Sequence, residues 1–334
     1  MLKHRNHTAK FPSEQQYKAR THFISIFLTL KMVSNTTGRF RIEDYYVACA
    51  LSTLFALISI LISLSIFIIV WKTKPRLHTI NHLLICNTAF ASIVYCLVII
   101  NNYIYLLFVP WNLDDMSCRF RAYFAYIGIS GVIYSYLIQS ISRLFVSIFS
   151  TKYRFLSTFR MHFILIGTQW FAVILVPLSV LITKDIQMTP LTLCWIPVNK
   201  MIHLIVNLLF VYVIPVVVIL VIYVCIYQHV RGSSRRATTI TNATHSQKRD
   251  LQLLRNILIL LLIYLGGSLT TLLYFATSIK VIYLISLVNI TFTITAEKIF
   301  TLVLDREVRQ VIINIVRGTT PVVPFQNTMT TFNK

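Results

Sequence analysis

Charge is scarce in this chain. Only 12% of its 334 residues are Asp, Glu, Lys or Arg, and only 10 are acidic, whereas ordinary soluble domains carry about 25% charged residues. Glycine, at 8 residues, and cysteine, at 6, are also few, and the 9 histidines are scattered. No phosphate-cradling glycine loop, nucleophile–base motif or His/Cys cluster with metal-ligand spacing occurs, so the chain points to no enzyme, no cofactor and no metal site. The ~10-residue alternating segments of a transmembrane barrel are missing too. No cysteine follows Cys225, which excludes palmitoylation of the tail.

What fills the space is apolar. Six stretches of 21 to 37 residues hold no charged side chain: Tyr45–Trp71, Leu77–Leu113, Ala122–Ser142, Met161–Thr183, Met201–Val230 and Asn256–Ile279; Val281–Ala296 is a shorter seventh. A helix rises about 1.5 Å per residue, so roughly 20 apolar residues cross the ~30 Å hydrocarbon layer. Hydrophobic residues make up 56% of the chain and mean hydropathy is +0.72. One such run fits a buried helix of a soluble protein; seven in series do not. Helices satisfy their own backbone polar groups, which lipid requires. The expected architecture is an all-α membrane protein, a seven-transmembrane helix bundle with crossings near 46–71, 80–107, 119–148, 161–183, 202–229, 253–278 and 281–304.

The net charge of +21 invites a nucleic-acid reading, but the cations sit between the apolar runs. Lys72, Lys74 and Arg76, then Lys152, Arg154 and Arg160, then Arg231–Arg255, then Arg306, Arg309 and Arg317 fall on alternate loops and the tail. Lys and Arg in short loops mark the cytoplasmic side. The reading is therefore no nucleic acid, a lipid bilayer as surroundings, an extracellular N-terminus and a cytoplasmic C-terminus. Residues 1–45 form the extracellular tail, 46–304 the bundle, 305–317 a short C-terminal amphipathic interfacial helix, and 318–334 a disordered cytoplasmic tail. The basic residues of 1–44 oppose this orientation, although long tails translocate with less regard for charge. Met32 offers an alternative start, and Phe23–Leu30 is short for a signal-peptide core. Asn6 and Asn35 head glycosylation sequons if they lie outside. In the tail segment, Val308, Val311, Ile312 and Ile315 share one helical face.

Cys118 and Cys194 both fall on the outer side, where oxidising conditions permit a disulfide; two unpaired thiols are the alternative. Arg143, with no charge in the 21 residues before it, either snorkels to the inner headgroups or faces the bundle as a functional group.

These positions are spaced as in a known family. Trp111 precedes Cys118 by seven residues, Arg143 follows it by 25, and Trp170 follows Arg143 by 27; Tyr223 follows Pro215 by eight. With Cys194 in the second outer loop and Asp305-Arg306-Glu307-Val308-Arg309 after the last run, the chain resembles the rhodopsin-like (class A) G-protein-coupled receptors over roughly 45–317. The resemblance implies a plasma-membrane receptor that passes binding of an extracellular ligand to a heterotrimeric G protein. Arg143 would be the pivot of the third helix and Tyr223 its partner in the active form. A seven-helix transporter or channel is the competing reading. It would place several charged groups at the bilayer midplane, where only Arg143, Glu297 and Lys298 are charged within crossings, all toward the inner side.

Departures from the family are many. Ser142 and Leu144 flank Arg143 where an acid and an aromatic are usual, which leaves Asp250 as a replacement resting partner. The second helix has no Asp. The sixth lacks its Trp and Pro, with Gly266-Gly267 as the expected source of flexibility. In the seventh, Glu297-Lys298-Ile299-Phe300-Thr301 replaces Asn-Pro-x-x-Tyr. Adjacent residues point about 100° apart on a helix, so Glu297 and Lys298 are not expected to neutralise each other; Lys298 would snorkel, and Glu297 would join Asn87 or Asn289 as a switch element. Ala125 stands where amine receptors carry Asp, and Thr291 where opsins carry Lys, so the resemblance implies neither an amine nor a retinal ligand. Tyr103, Tyr105, Trp111, Tyr126, Trp195 and Tyr283 gather at the outer end. They serve either as interfacial anchors or as a pocket for a peptide or lipid-like ligand.

Overall fold

The structure, a computed structural model, describes residues 42–73, 79–108, 115–149, 153–186, 193–196, 200–236, 258–259, 262–263, 265–277, 279–305, 308–311 and 313. Among these, α1 spans Ile42–Lys72, α2 Ile80–Phe108 and α3 Asp115–Leu144, the last running on into a π-helical turn, Phe145–Phe149. A 3-10 turn at Arg154–Ser157 leads into α4, Phe159–Ile182. The rod α5 is composite: Met201–Leu208, a π-helical turn Leu209–Val213, then Ile214–Arg236. Helix α6 is described over 265–277, and α7 is Lys280–Leu304. Six helices, all but α6, are long and apolar enough to cross a membrane. Of the N-terminal turns expected of the sixth crossing, the described residues include 258–259 and 262–263.

The faces of α1 show how lipid sorts side chains. Leu51, Leu54, Leu57, Leu61, Leu64 and Ile68 form an exposed stripe at helical spacing, while Ser52, Ala56, Ser59 and Ser63 are fully buried. Large apolar groups gain nothing by leaving lipid tails for one another, so helix contacts use small residues that let backbones approach. Two glycines make this sharpest. A Cβ on Gly128 of α3 would lie 2.8 Å from the Tyr95 Cα of α2, and one on Gly267 of α6 would overlap the Thr293 side chain of α7.

At the centre, α3 packs on α2, α4 and α5. Asn87 ties α2 to α4: its Nδ2 donates to Gln169 Oε1 at 2.7 Å, and its Oδ1 accepts from Trp170 Nε1 at 3.0 Å. Gln169 in turn donates to the Gly131 carbonyl at 3.2 Å, and Gln139 Nε2 donates to Thr88 Oγ1 at 2.7 Å. Ser142 and His162 are hydrogen bonded at 2.8 Å, which ties α3 to the start of α4.

Pro215 acts through the turn before it. Lacking an N–H, it cannot continue the i→i−4 ladder. The preceding turn widens, so that the Ile214 N–H reaches the Leu209 carbonyl, and the Tyr134 hydroxyl donates to the Phe210 carbonyl at 2.9 Å. A side chain from α3 thereby holds a backbone group of the π turn. At the far end of α7 the Asp305 carboxylate accepts from the Val308 N–H at 3.1 Å, opening the helical residues 308–311. Val308 and Val311 are buried there, with Arg309 and Gln310 exposed. Asp305 also lies 3.7 Å from His82 Nε2 at the start of α2.

Gly267 is thus a packing contact, whereas nothing lies within 4 Å of a Cβ on Gly266. Gly267→Ala is expected to destabilise the bundle by about 1–3 kcal/mol through overpacking. Gly266→Ala should be neutral or slightly stabilising, since alanine is the better helix former. Thermal unfolding of both variants in one detergent checks the contrast; equal melting temperatures would refute it.

Candidate functional site

The two ends of α3 carry the two features singled out by sequence. At its N-terminal end the sulfurs of Cys118 and Cys194 are bonded, S–S 2.09 Å, which sets aside the reading of two free thiols. The disulfide holds the described loop residues 193–196 over the bundle. The Leu193 N–H donates to the Tyr283 hydroxyl of α7 at 2.8 Å, and Trp195 lies against Tyr126 of α3 with ring centroids 4.5 Å apart. Arg121 closes the rim: its guanidinium sits 3.8 Å from the Tyr105 ring centroid and donates toward Cys194 Sγ at 3.9 Å. Nearby, Lys200 and His203 each approach the Asp185 carboxylate to 3.3 Å. That carboxyl is pulled below its usual range first by the Thr183 hydroxyl, then by Lys200 and His203.

Beneath this cover lies a cavity of about 220 Å³, whose walls include Tyr103, Ala125, Leu193, Trp195, Tyr283 and Leu287. A second chamber of about 90 Å³ is lined by Tyr126, Trp195, Asn207 and Val211 among others. Of the expected outer aromatics, Tyr103, Trp195 and Tyr283 line the larger cavity together with Ala125, Tyr126 lines the smaller, and Tyr105 lines neither. Tyr103 and Tyr126 are buried and are not interfacial anchors; the Tyr103 hydroxyl donates to the Leu287 carbonyl at 3.4 Å. Trp111 lies outside the described residues. Asn207 and Thr271 were missed by sequence reading because they carry no charge. An amide and a hydroxyl inside otherwise apolar runs were the available signal.

At the other end of α3, the half-buried Arg143 donates through Nη2 to Asn81 Oδ1 at the start of α2. Tyr223 of α5 is buried and within electrostatic reach of Arg143. The structure thus gives Arg143 an amide partner in Asn81, which the search for acidic partners overlooked. Asp250 lies outside the described residues, as do Asn6 and Asn35.

Glu297 and Lys298 correct the sequence reading. Both are buried at 1% exposure, and Lys298 Nζ lies 3.0 Å from one Glu297 carboxylate oxygen and 3.1 Å from the other. They do neutralise each other, and Lys298 does not snorkel. The reason is side-chain length: both chains bend through the 100° between their Cα–Cβ directions, and a low-dielectric interior strongly favours closing that gap. Nor does Glu297 join the expected amides. Asn87 is bonded to Gln169 and Trp170, while Asn289 Nδ2 donates to Gly267 O at 3.3 Å and Thr270 Oγ1 at 3.2 Å. The Thr301 hydroxyl donates to Glu297 O at 2.9 Å and is 3.4 Å from Oε1.

A family model described as "7 transmembrane receptor (rhodopsin family)" matches residues 63–303. The chain belongs to this family. No curated protein matches it. Membership decides between the receptor and transporter readings in favour of a multi-pass membrane receptor of the G-protein-coupled type. Among the described residues, no group of His, Cys, Asp and Glu has a metal-binding arrangement.

Removing one partner of the receptor's buried ion pair leaves an uncompensated charge, typically costing about 3–5 kcal/mol. Glu297→Leu and Lys298→Met should each lower thermal stability and yield sharply, and the double variant should recover most of the loss. A double variant as unstable as the sum of the singles would show that the pair is not coupled.

Proposed function

We propose that the receptor transmits binding of an extracellular ligand, peptide or lipid-like rather than amine, to a cytoplasmic heterotrimeric G protein at the plasma membrane. In this reading the disulfide end faces outward, the Arg143 end faces inward, Asn6 and Asn35 are glycosylated, and residues 305–317 lie on the inner leaflet. Basic loops at the Arg143 end support the orientation, as does a disulfide that belongs in an oxidising compartment. Asp305 capping the Val308 N–H supports the interfacial helix.

The observation that carries the reading is the span of α3. One helix holds Ala125 and Ile129 on the cavity wall and Arg143 at the opposite end, bonded to Asn81 and close to Tyr223. A ligand favouring one packing of α3 against α5 would shift the population in which Arg143 exchanges Asn81 for Tyr223. The absence of a charged side chain among the described cavity walls supports a ligand other than an amine.

A charge-assisted hydrogen bond is worth about 1.5 kcal/mol or more, so Asn81→Ala is expected to raise basal nucleotide exchange on purified G protein roughly tenfold. Arg143→Ala should abolish both basal and stimulated exchange. If Asp250 shares the restraint, Asp250→Ala adds to the Asn81 effect. Wild-type basal exchange in Asn81→Ala, with normal surface expression, would remove Asn81 from the switch. Solute uptake or ion flux without exchange would restore the transporter reading.

A further inference from the structure

The cavity carries more than an address for a ligand; it restricts the ligand's chemistry. Its two chambers share the wall residues Ile129, Trp195, Thr271, Phe275 and Ile290. Neither has an Asp, Glu, Lys, Arg or His among its described walls, and Asn256–Ile279, the stretch that contains α6, has none in its sequence. An ionised ligand group placed there would lose its hydration without a counter-charge, a cost that binding does not recover.

Most polar groups at the walls are already used. The Tyr283 hydroxyl accepts from Leu193, the Tyr103 hydroxyl donates to Leu287, and the Ser286 hydroxyl donates to Tyr283 O at 2.7 Å. Three are not. Asn207 Oδ1, Thr271 Oγ1 and the Tyr126 hydroxyl are buried with no hydrogen-bond partner; the Tyr126 hydroxyl faces the Ile196 backbone, and the Asn207 side chain belongs to a residue only 7% exposed. Buried polar atoms are nearly always satisfied, so an orphaned amide and hydroxyl on a cavity wall call for a ligand atom. Thr271 stands on the wall common to both chambers.

We infer that the ligand is an uncharged amphiphile, a small apolar body carrying a single hydroxyl-type group that hydrogen-bonds Asn207 and Thr271. The inference rests on the reading of this cavity as the receptor's ligand site and narrows it. A peptide is disfavoured, because each residue brings a backbone donor and acceptor that must be satisfied and the described walls offer three buried unpartnered polar atoms. The chambers are also small beside the ~300–1,000 Å³ of typical ligand pockets, which favours a compact molecule.

The test uses the full-length receptor in nanodiscs without G protein, and photoreactive diazirine versions of four probes with one apolar body. These are 1-dodecanol, dodecane, dodecanesulfonate and dodecyltrimethylammonium; the last two carry charges that do not titrate. Crosslinks are mapped by peptide mass spectrometry. The alcohol is expected to label Ile99, Ile129 or Ile290 and to be displaced by unlabelled 1-dodecanol, with both charged probes weaker by about tenfold or more. Thr271→Val and Asn207→Leu should each weaken alcohol labelling by roughly tenfold, the loss of one buried hydrogen bond, and leave dodecane labelling unchanged.

Labelling of the cavity by either charged probe as strongly as by the alcohol overturns the inference. So does an absence of labelling by all four, or alcohol labelling indifferent to both substitutions. Should a variant fail to fold, the head-group series on the unmodified receptor decides alone. Nucleotide exchange, measured after purified G protein is added to the same nanodiscs, separates the two readings. Alcohol capture without exchange upholds the ligand class and removes the G-protein reading, while basal exchange without capture does the reverse.

Discussion

In a bilayer, a polar group that leaves water finds its partner inside the protein or has none. This constraint organises the whole receptor. It turns the leucines of α1 outward and its serines inward, joins α2, α3 and α4 through Asn87, Gln139 and Gln169, and folds Lys298 back onto Glu297. It also explains the hydroxyls. Thr88, Ser92, Ser130, Ser140 and Thr291 all return a hydrogen bond to a carbonyl of the preceding turn, so they sit within apolar helices without an unpaired donor. Asn207 and Thr271 depart from this pattern on a cavity wall, as Ser52, Ser59 and Ser63 do on α1.

Crossings were legible because hydrophobic length is a one-dimensional property that a sequence states outright. Helix α4 begins and ends close to where its uncharged run meets Arg160 and Lys184, and α7 runs from Lys280 to the residue before Asp305. Polar pairing was less legible, for two different reasons. Asn81, Gln139 and Gln169 carry no charge, so a scan for ionisable residues passes over them although amides make the buried contacts. Glu297 and Lys298 were visible but misread, because an argument from Cα directions ignores the reach of long side chains and the strength of the field that draws them together. Of the cavity residues, Ala125 was placed by family position, and Tyr103, Trp195 and Tyr283 by their gathering at the outer end; no periodicity alone brings a loop tryptophan to the wall of a helix bundle.

Helix α5 shows how a local backbone rule becomes a property of the site. Pro215 removes a donor, the turn before it widens, and Val211 within that turn lines the smaller chamber. Asn207 precedes the turn on the same rod, and Tyr223 follows it two turns after the proline. A π turn holds its residues less tightly than an α turn and is common where function requires adjustment. The Tyr134 hydroxyl fastens it to α3, so changes at the chamber and changes at the turn are felt by both helices.

That fastening bears on how the two ends communicate. A chain of contacts is no evidence of coupling unless it contains an element with two arrangements. The α3–α5 interface has the parts of one: a turn with loosened hydrogen bonding beside the chamber, and at the other end an arginine whose amide partner sits on α2 while the tyrosine that lies within its field sits on α5. A hydroxyl seated between Asn207 and Thr271 would bridge α5 and α6 directly above the π turn. Ligand contact and arginine exchange then act on the same rod from opposite sides of its weakest point. A ligand that filled only the larger cavity would touch α5 nowhere among that cavity's described walls, and its differential effect on the two packings would be correspondingly small.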